Sequence, residues 1–116
     1  MAYDKMYEYV ETLFDVFKMV NKMVVDKKDS KYKFIAAIIY NYIVKIAKSN
    51  NIDMSSFVLG NACKSQINLM PFFEYVTHNN IEFYDFKNIE LGDVDTSKNE
   101  DIERFVLSHV YYITQK

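Results

Sequence analysis

At 116 residues, with half of them hydrophobic and 14 basic against 16 acidic groups, the chain has the size and balance of one globular domain, residues 1–116. A single cysteine, Cys63, and two histidines exclude an internal disulfide and a structural zinc centre. The longest apolar stretch, Phe34 to Ala47, is broken by Asn41 and Lys45 and falls short of the ~20 residues that cross a bilayer, so no membrane partner is expected.

Met1-Ala2-Tyr3-Asp4-Lys5 lacks the basic, apolar, small-residue order of a secretory signal, and a cytoplasmic location is the expectation. The chain has 13 lysines against Arg104 alone, many Ile, Asn and Tyr, and only two glycines and one proline. That usage points to AT-rich coding, as in a low-GC bacterium, its phages or a virus. A single arginine also leaves little material for bidentate reading of phosphate or guanine.

Tyr3 to about Asp26 reads as an amphipathic helix. Met6, Val10, Leu13, Phe17, Val20 and Val24 recur at three- and four-residue spacing, with Asp4, Glu8, Glu11, Asp15, Lys18 and Lys22 opposite. Lys27-Lys28-Asp29 interrupts the pattern, and Asp29 or Ser30 can cap a second helix over about Lys31 to Ser49. This second helix is apolar on nearly every side, which predicts a central position, with Asn41 and Lys45 as its wet edge.

Ser49-Asn50-Asn51 ends it, and Asp53 can cap a weaker helix through Met54, Phe57, Val58 and Ala62. Pro71 suits a first helical turn, giving a short helix from Pro71 to His78 that Asn79-Asn80 stops. Ile81 to Leu91 admits a short hairpin about Lys87-Asn88. Ser97 and Glu100 form a capping box that opens the last helix, whose apolar face is Ile102, Phe105, Val106, His109, Val110 and Ile113. The fold class is therefore mainly α: a bundle of four to five helices around the apolar second helix, with one short hairpin before the last helix.

Gly60 and Gly92 stand alone, which excludes Gly-rich phosphate loops. Glu74 and His78, four apart, suit an ion pair or helix-end feature better than a metal site. His109 fits a core edge, hydrogen-bonded to a neighbour, better than a general base. Asp93 to Asp101 begins like a calcium loop but has Lys98 where the sharp turn needs Gly and Arg104 where a bidentate Glu should close the shell. No metal and no cofactor are expected, and no catalytic residue is assigned.

The clearest functional lead is charge. Residues 82 to 103 hold eight acids against Lys87 and Lys98, a local charge of −6, whereas residues 1 to 81 carry ten lysines against eight acids. Such a segment repels phosphate and steers a basic partner into contact. The candidate partner-binding residues are Glu82, Phe83, Tyr84, Asp85, Phe86, Glu90, Asp93, Asp95, Glu100, Asp101 and Glu103. The aromatics among them are the candidate anchors, and the tyrosines of the first and last helices, Tyr3, Tyr7, Tyr9, Tyr111 and Tyr112, suit either contact sites or core edges.

The expectation is a non-enzymatic interaction protein, an inhibitor, immunity or regulatory factor, that binds a protein with a basic surface; a homodimer is a further option. One alternative is a helical DNA-binding regulator using Lys27, Lys28, Lys31, Lys33, Lys45, Lys48 and Lys64, although the net charge of −2 makes nucleic acid the weaker partner. The other is a small enzyme pairing His78 or His109 with a carboxylate.

Overall fold

A computed structural model describes residues 5–27, 30–57, 67–84 and 98–114. Among the described residues four α-helices run in chain order: α1 (Met6–Lys27), α2 (Ser30–Ser49), α3 (Met70–His78) and α4 (Asn99–Thr114), with a 3-10 turn at Met54–Ser56. No strand occurs among the described residues. The Cα radius of gyration, 13.7 Å, matches the roughly 13 Å of a folded chain of this length. No helix among these residues is long and apolar enough to cross a membrane.

The 3.6-residue period of α1 is realised as the largest share of the core. Tyr9, Val10, Leu13, Phe14, Val16, Phe17 and Val20 are all buried, and α1 packs against both α2 and α3. Its polar stripe is less wet than the sequence suggests. Glu8, Glu11 and Lys22 are exposed, but Asp15 and Lys18 lie half-buried as an i,i+3 pair at 3.8 Å, with the Lys18 Nζ 5.8 Å from the centre of the Phe14 ring.

The apolar all-round pattern of α2 resolves into two sides. Ile35, Ala36, Ile39, Tyr42, Ile43 and Ala47 are buried, and this side meets α1 and α4. The other side leaves Phe34 at 61% and Tyr40 at 39% exposure, together with Ala37 and the expected wet residues Asn41 and Lys45. Its composition is nearly uniform around the helix axis, but its burial is one-sided.

Both helix ends that asparagines were expected to stop use one device. Asn51 and Asn80 take left-handed backbone, φ 56° and 53°. At the first, the Ile52 amide donates to the Ala47 carbonyl and the Asn51 amide to Lys48; at the second, Ile81 donates to Val76 and Asn80 to Thr77. These are paired Schellman closures, in which the last carbonyls of the helix are satisfied by amides beyond its end. The preceding asparagine reinforces each one, as Asn50 Nδ2 donates to Ile46 and Asn79 Nδ2 to Tyr75. The following isoleucine, Ile52 or Ile81, then packs on the core.

The weaker third helix expected after Asp53 is a single 3-10 turn within the described residues. Asp53 caps it by accepting from the Ser55 amide at 2.9 Å, which holds the carboxyl below its usual range. Val58, Ala62, Gly60 and Cys63 lie outside the described residues, as do Gly92 and the start of the calcium-like loop. Phe57 closes the turn by stacking on Tyr7 and Phe14, with ring centroids 5.5 and 5.3 Å away. Chain 67–69 is tied to α1 where the buried Thr12 hydroxyl donates to the Asn68 carbonyl; the Asn68 side chain accepts the Met70 amide and so starts α3 with Pro71 in its first turn. Of the stretch read as a hairpin, residues 81–84 form no strand, and 85–91 lie outside the described residues.

Candidate functional site

The described part of the acidic segment begins in a strip, Ile81 to Tyr84, held against α4. Its backbone is clipped there by two side chains one turn apart. Arg104 Nε donates to the Glu82 carbonyl at 2.7 Å, and the Tyr84 amide donates to Ser108 Oγ at 2.9 Å. Ser108, 1% exposed, passes its own proton to the Arg104 carbonyl at 2.6 Å, so its hydroxyl is satisfied as both donor and acceptor. The Arg104 guanidinium lies 4.0 Å from the Tyr84 ring centre, stacking as well as donating.

Side chains alternate along this strip. Glu82 points into solvent, while Phe83 turns inward and stacks on Tyr111 at 4.5 Å and 18°, and on Phe72 at 6.2 Å. Phe73 meets Tyr111 edge-on at 6.3 Å and completes a four-ring cluster between α3 and α4. Phe83 and Tyr84 are therefore half-buried residues whose rings fix the strip to the domain. Glu100 is exposed and Asp101 half-buried in the first turn of α4, where carboxylates also favour the helix dipole. Asp85, Phe86, Glu90, Asp93 and Asp95 lie outside the described residues.

Glu103 departs from the rest of the acidic set. Its Oε2 accepts from the Tyr42 hydroxyl at 2.6 Å and from the Tyr75 hydroxyl at 3.0 Å. The Tyr42 proton is thereby committed, so its oxygen is the acceptor in the 2.8 Å contact with the Tyr9 hydroxyl. The Tyr9 and Tyr75 rings stack with centroids 3.9 Å apart at 12°. One side chain from each helix enters this node: Tyr9 from α1, Tyr42 from α2, Tyr75 from α3 and Glu103 from α4.

The three phenols are 0%, 5% and 8% exposed, so their chemistry is set by burial. Desolvation first, then the neighbouring Tyr9 and the Glu103 charge, push the Tyr42 phenol well above its usual pKa. Burial and then Glu103 raise Tyr75 to about 12. Both phenols are thus neutral donors at neutral pH, and the node is a satisfied chain of hydrogen bonds ending on one carboxylate. Nucleophilic chemistry would need an ionised or activated phenol, and here both raised pKa values oppose ionisation.

The histidines stand apart from this node. His109 Nδ1 lies 3.2 Å from the Phe105 carbonyl with its ring against Phe105, at the core edge. His78 is exposed at the end of α3, and Glu74 pairs with Lys5 at 3.1 Å. Among the described residues, no three His, Cys, Asp or Glu side chains converge to hold a metal ion.

Sequence reasoning counted the acids of residues 82 to 103 and missed the node. A signal for Glu103 was present: it lies four and seven residues before Leu107 and Val110, in register with the buried face of α4. Of the tyrosines weighed as contact sites, Tyr9 is fully buried, Tyr111 half-buried, and Tyr7 and Tyr112 each 48% exposed; Tyr3 lies outside the described residues. No protein-family model matches the chain, and neither a curated protein nor a solved structure is significantly similar to it.

Proposed function

We propose that this chain is a non-enzymatic interaction module that engages a basic protein surface through residues 82 to 103. The observation that supports it is the local charge of −6, carried in part by the exposed Glu82 and Glu100, beside a backbone strip that Arg104 and Ser108 hold in place. Acids displayed from a held backbone lose less freedom on binding than acids on a loose chain, and their field raises the encounter rate with a cationic surface. Glu103 belongs to this proposal as the residue that seats the start of α4, rather than as a contact.

Affinity capture of the tagged protein from its native lysate, at low and moderate salt and after nuclease treatment, tests the reading. The expected result is a basic protein that is lost at higher salt, survives nuclease, and fails to bind when Glu82, Glu90, Asp93, Asp95 and Glu100 are changed to Lys. Undiminished capture by that variant overturns it. Nucleic-acid binding is the second reading, favoured by the exposed Lys33, Lys45 and Lys48 on α2. Recovery of nucleic acid that nuclease removes would select it.

A further inference from the structure

The outward side of α2 combines exposed aromatic side chains with lysines and no acid. Helix α2 carries four lysines and no acid along its whole length. At 3.6 residues per turn, Lys33, Phe34, Ala37, Tyr40, Asn41 and Lys48 share one side, and all six are exposed. Phe34, at 61% exposure, leaves most of a large apolar side chain in water between cationic ends. An aromatic centre with a charged rim is the anatomy of a protein-binding patch.

The charges limit what can cover it. Pairing α2 with α2 of another copy about a two-fold axis near Tyr40 and Asn41 would set Lys33 opposite Lys48 twice, and a parallel pairing would set each lysine against itself. Like charges in such positions repel, so the patch is not self-complementary. An acidic surface with apolar groups is what it fits, and residues 82 to 103 of the same chain have that character. The two cannot meet through the described residues of one molecule. Helix α4 seats on the inward side of α2, where Glu103 binds Tyr42, about 140° around the helix from Ala37.

We infer that the outward side of α2 is the docking surface for the acidic 82–103 segment of a second copy of this chain. The inference rests on the reading of that segment as a binding element and names one basic surface that it fits. Phe34 and Tyr40 supply the apolar contact, with Lys33 and Lys48 meeting the acids. The association is head-to-tail, since each molecule offers one patch of either sign, and it weakens as salt screens the charges.

Sedimentation velocity on the full chain over a concentration series, at about 50 mM and about 300 mM salt, tests it. The expected mass rises above 13.8 kDa with concentration at low salt, with affinity reduced about tenfold or more at high salt. A K33E/K48E variant and an E82K/E90K/D93K/D95K/E100K variant should each remain monomeric, with unchanged far-ultraviolet circular dichroism, because the first sets acids at both ends of the α2 patch and the second turns the 82–103 segment from −6 to +4, so that each presents like charge on both patches. An equimolar mixture of the two should associate again, since opposite signs face each other once more. A loss of association caused by misfolding would not be rescued by mixing. A wild-type chain that stays at 13.8 kDa at every concentration overturns the inference, as does a mixture that fails to recover, or an assembly that dissolves on nuclease treatment. Salt-sensitive capture of a foreign basic protein by a strictly monomeric chain would overturn self-docking while leaving the acidic-segment reading intact.

Discussion

The Tyr42 hydroxyl on α2 donates to the Glu103 carboxylate on α4 across 2.6 Å, joining residues 61 positions apart in the sequence. Tyr75 donates to the same oxygen, and Tyr9 reaches it through Tyr42. A carboxylate counted by sequence among a partner-binding set is in this way the acceptor on which all four helices converge. It also sits one turn after Glu100 and one residue before Arg104, so the node anchors the part of α4 from which the acidic strip is clipped. Core packing and the display of surface charge therefore share one residue.

Glu103→Ala should destabilise the domain by about 3 kcal/mol, because charge-assisted hydrogen bonds from two phenols are lost and their donors are left in a largely apolar setting. Glu103→Gln retains an oxygen acceptor and should cost about 1 kcal/mol. Tyr42→Phe interrupts the relay from Tyr9 and should fall between the two. Urea unfolding midpoints of the three variants give this order, and a Glu103→Ala variant as stable as the parent would refute the role assigned to the node.

The same phenols set an alkaline limit. Their folded pKa values lie above the ordinary 10.0, that of Tyr75 at about 12. A raised pKa means the unfolded state releases its proton first, so this contribution is intact below about pH 10 and declines as pH rises toward 12. Urea midpoints measured upward from pH 9 should fall, and Tyr75→Phe should fall less steeply over the same range. Phenolate absorbance at about pH 11 should rise when the protein is unfolded, as these two phenols lose the environment that keeps them protonated.

The helices were legible because burial imposes a period. Val10, Leu13, Phe17 and Val20 mark α1, and Val106 and Val110 mark α4, as surely in sequence as in space. The outward side of α2 was not, because Phe34, Ala37 and Tyr40 resemble core residues by composition, and only the position of α1 and α4 decides which side of an apolar helix is covered. The acidic strip could be counted from charge alone. Its seating by Arg104 and Ser108, and the inward turn of Glu103, depend on contacts between residues 22 to 61 positions apart, which no local pattern carries. Charge counting treats every acid as solvated, and for Glu103 that fails.

The paired helix ends give a test that is independent of the core. Asn51 and Asn80 hold left-handed backbone that costs an ordinary L-residue about 1–2 kcal/mol and costs glycine nothing sterically. Asn51→Ala and Asn80→Ala should each lower stability by about 1 kcal/mol, whereas the corresponding glycine variants should stay within about 0.5 kcal/mol of the parent. Thermal unfolding of the four single variants separates the outcomes. Equal losses for alanine and glycine would mean that the asparagine side chain, and not its backbone, terminates each helix.

The clip on the strip can be opened without touching its charge. Ser108→Ala removes the acceptor of the Tyr84 amide and also the hydroxyl that caps the Arg104 carbonyl, at a position 1% exposed. The half-buried amide then has no replacement in the alanine side chain, so the strip should open more readily than the rest of the fold. Hydrogen exchange at Tyr84 should accelerate about tenfold or more, equivalent to about 1.4 kcal/mol of local opening, while amides in the middle of α1 change little. If the strip must be held for its acids to be read by a partner, the same variant should weaken salt-sensitive capture although no acidic residue has been altered. Faster exchange with undiminished capture would show that charge alone, free of a fixed backbone, is sufficient for binding.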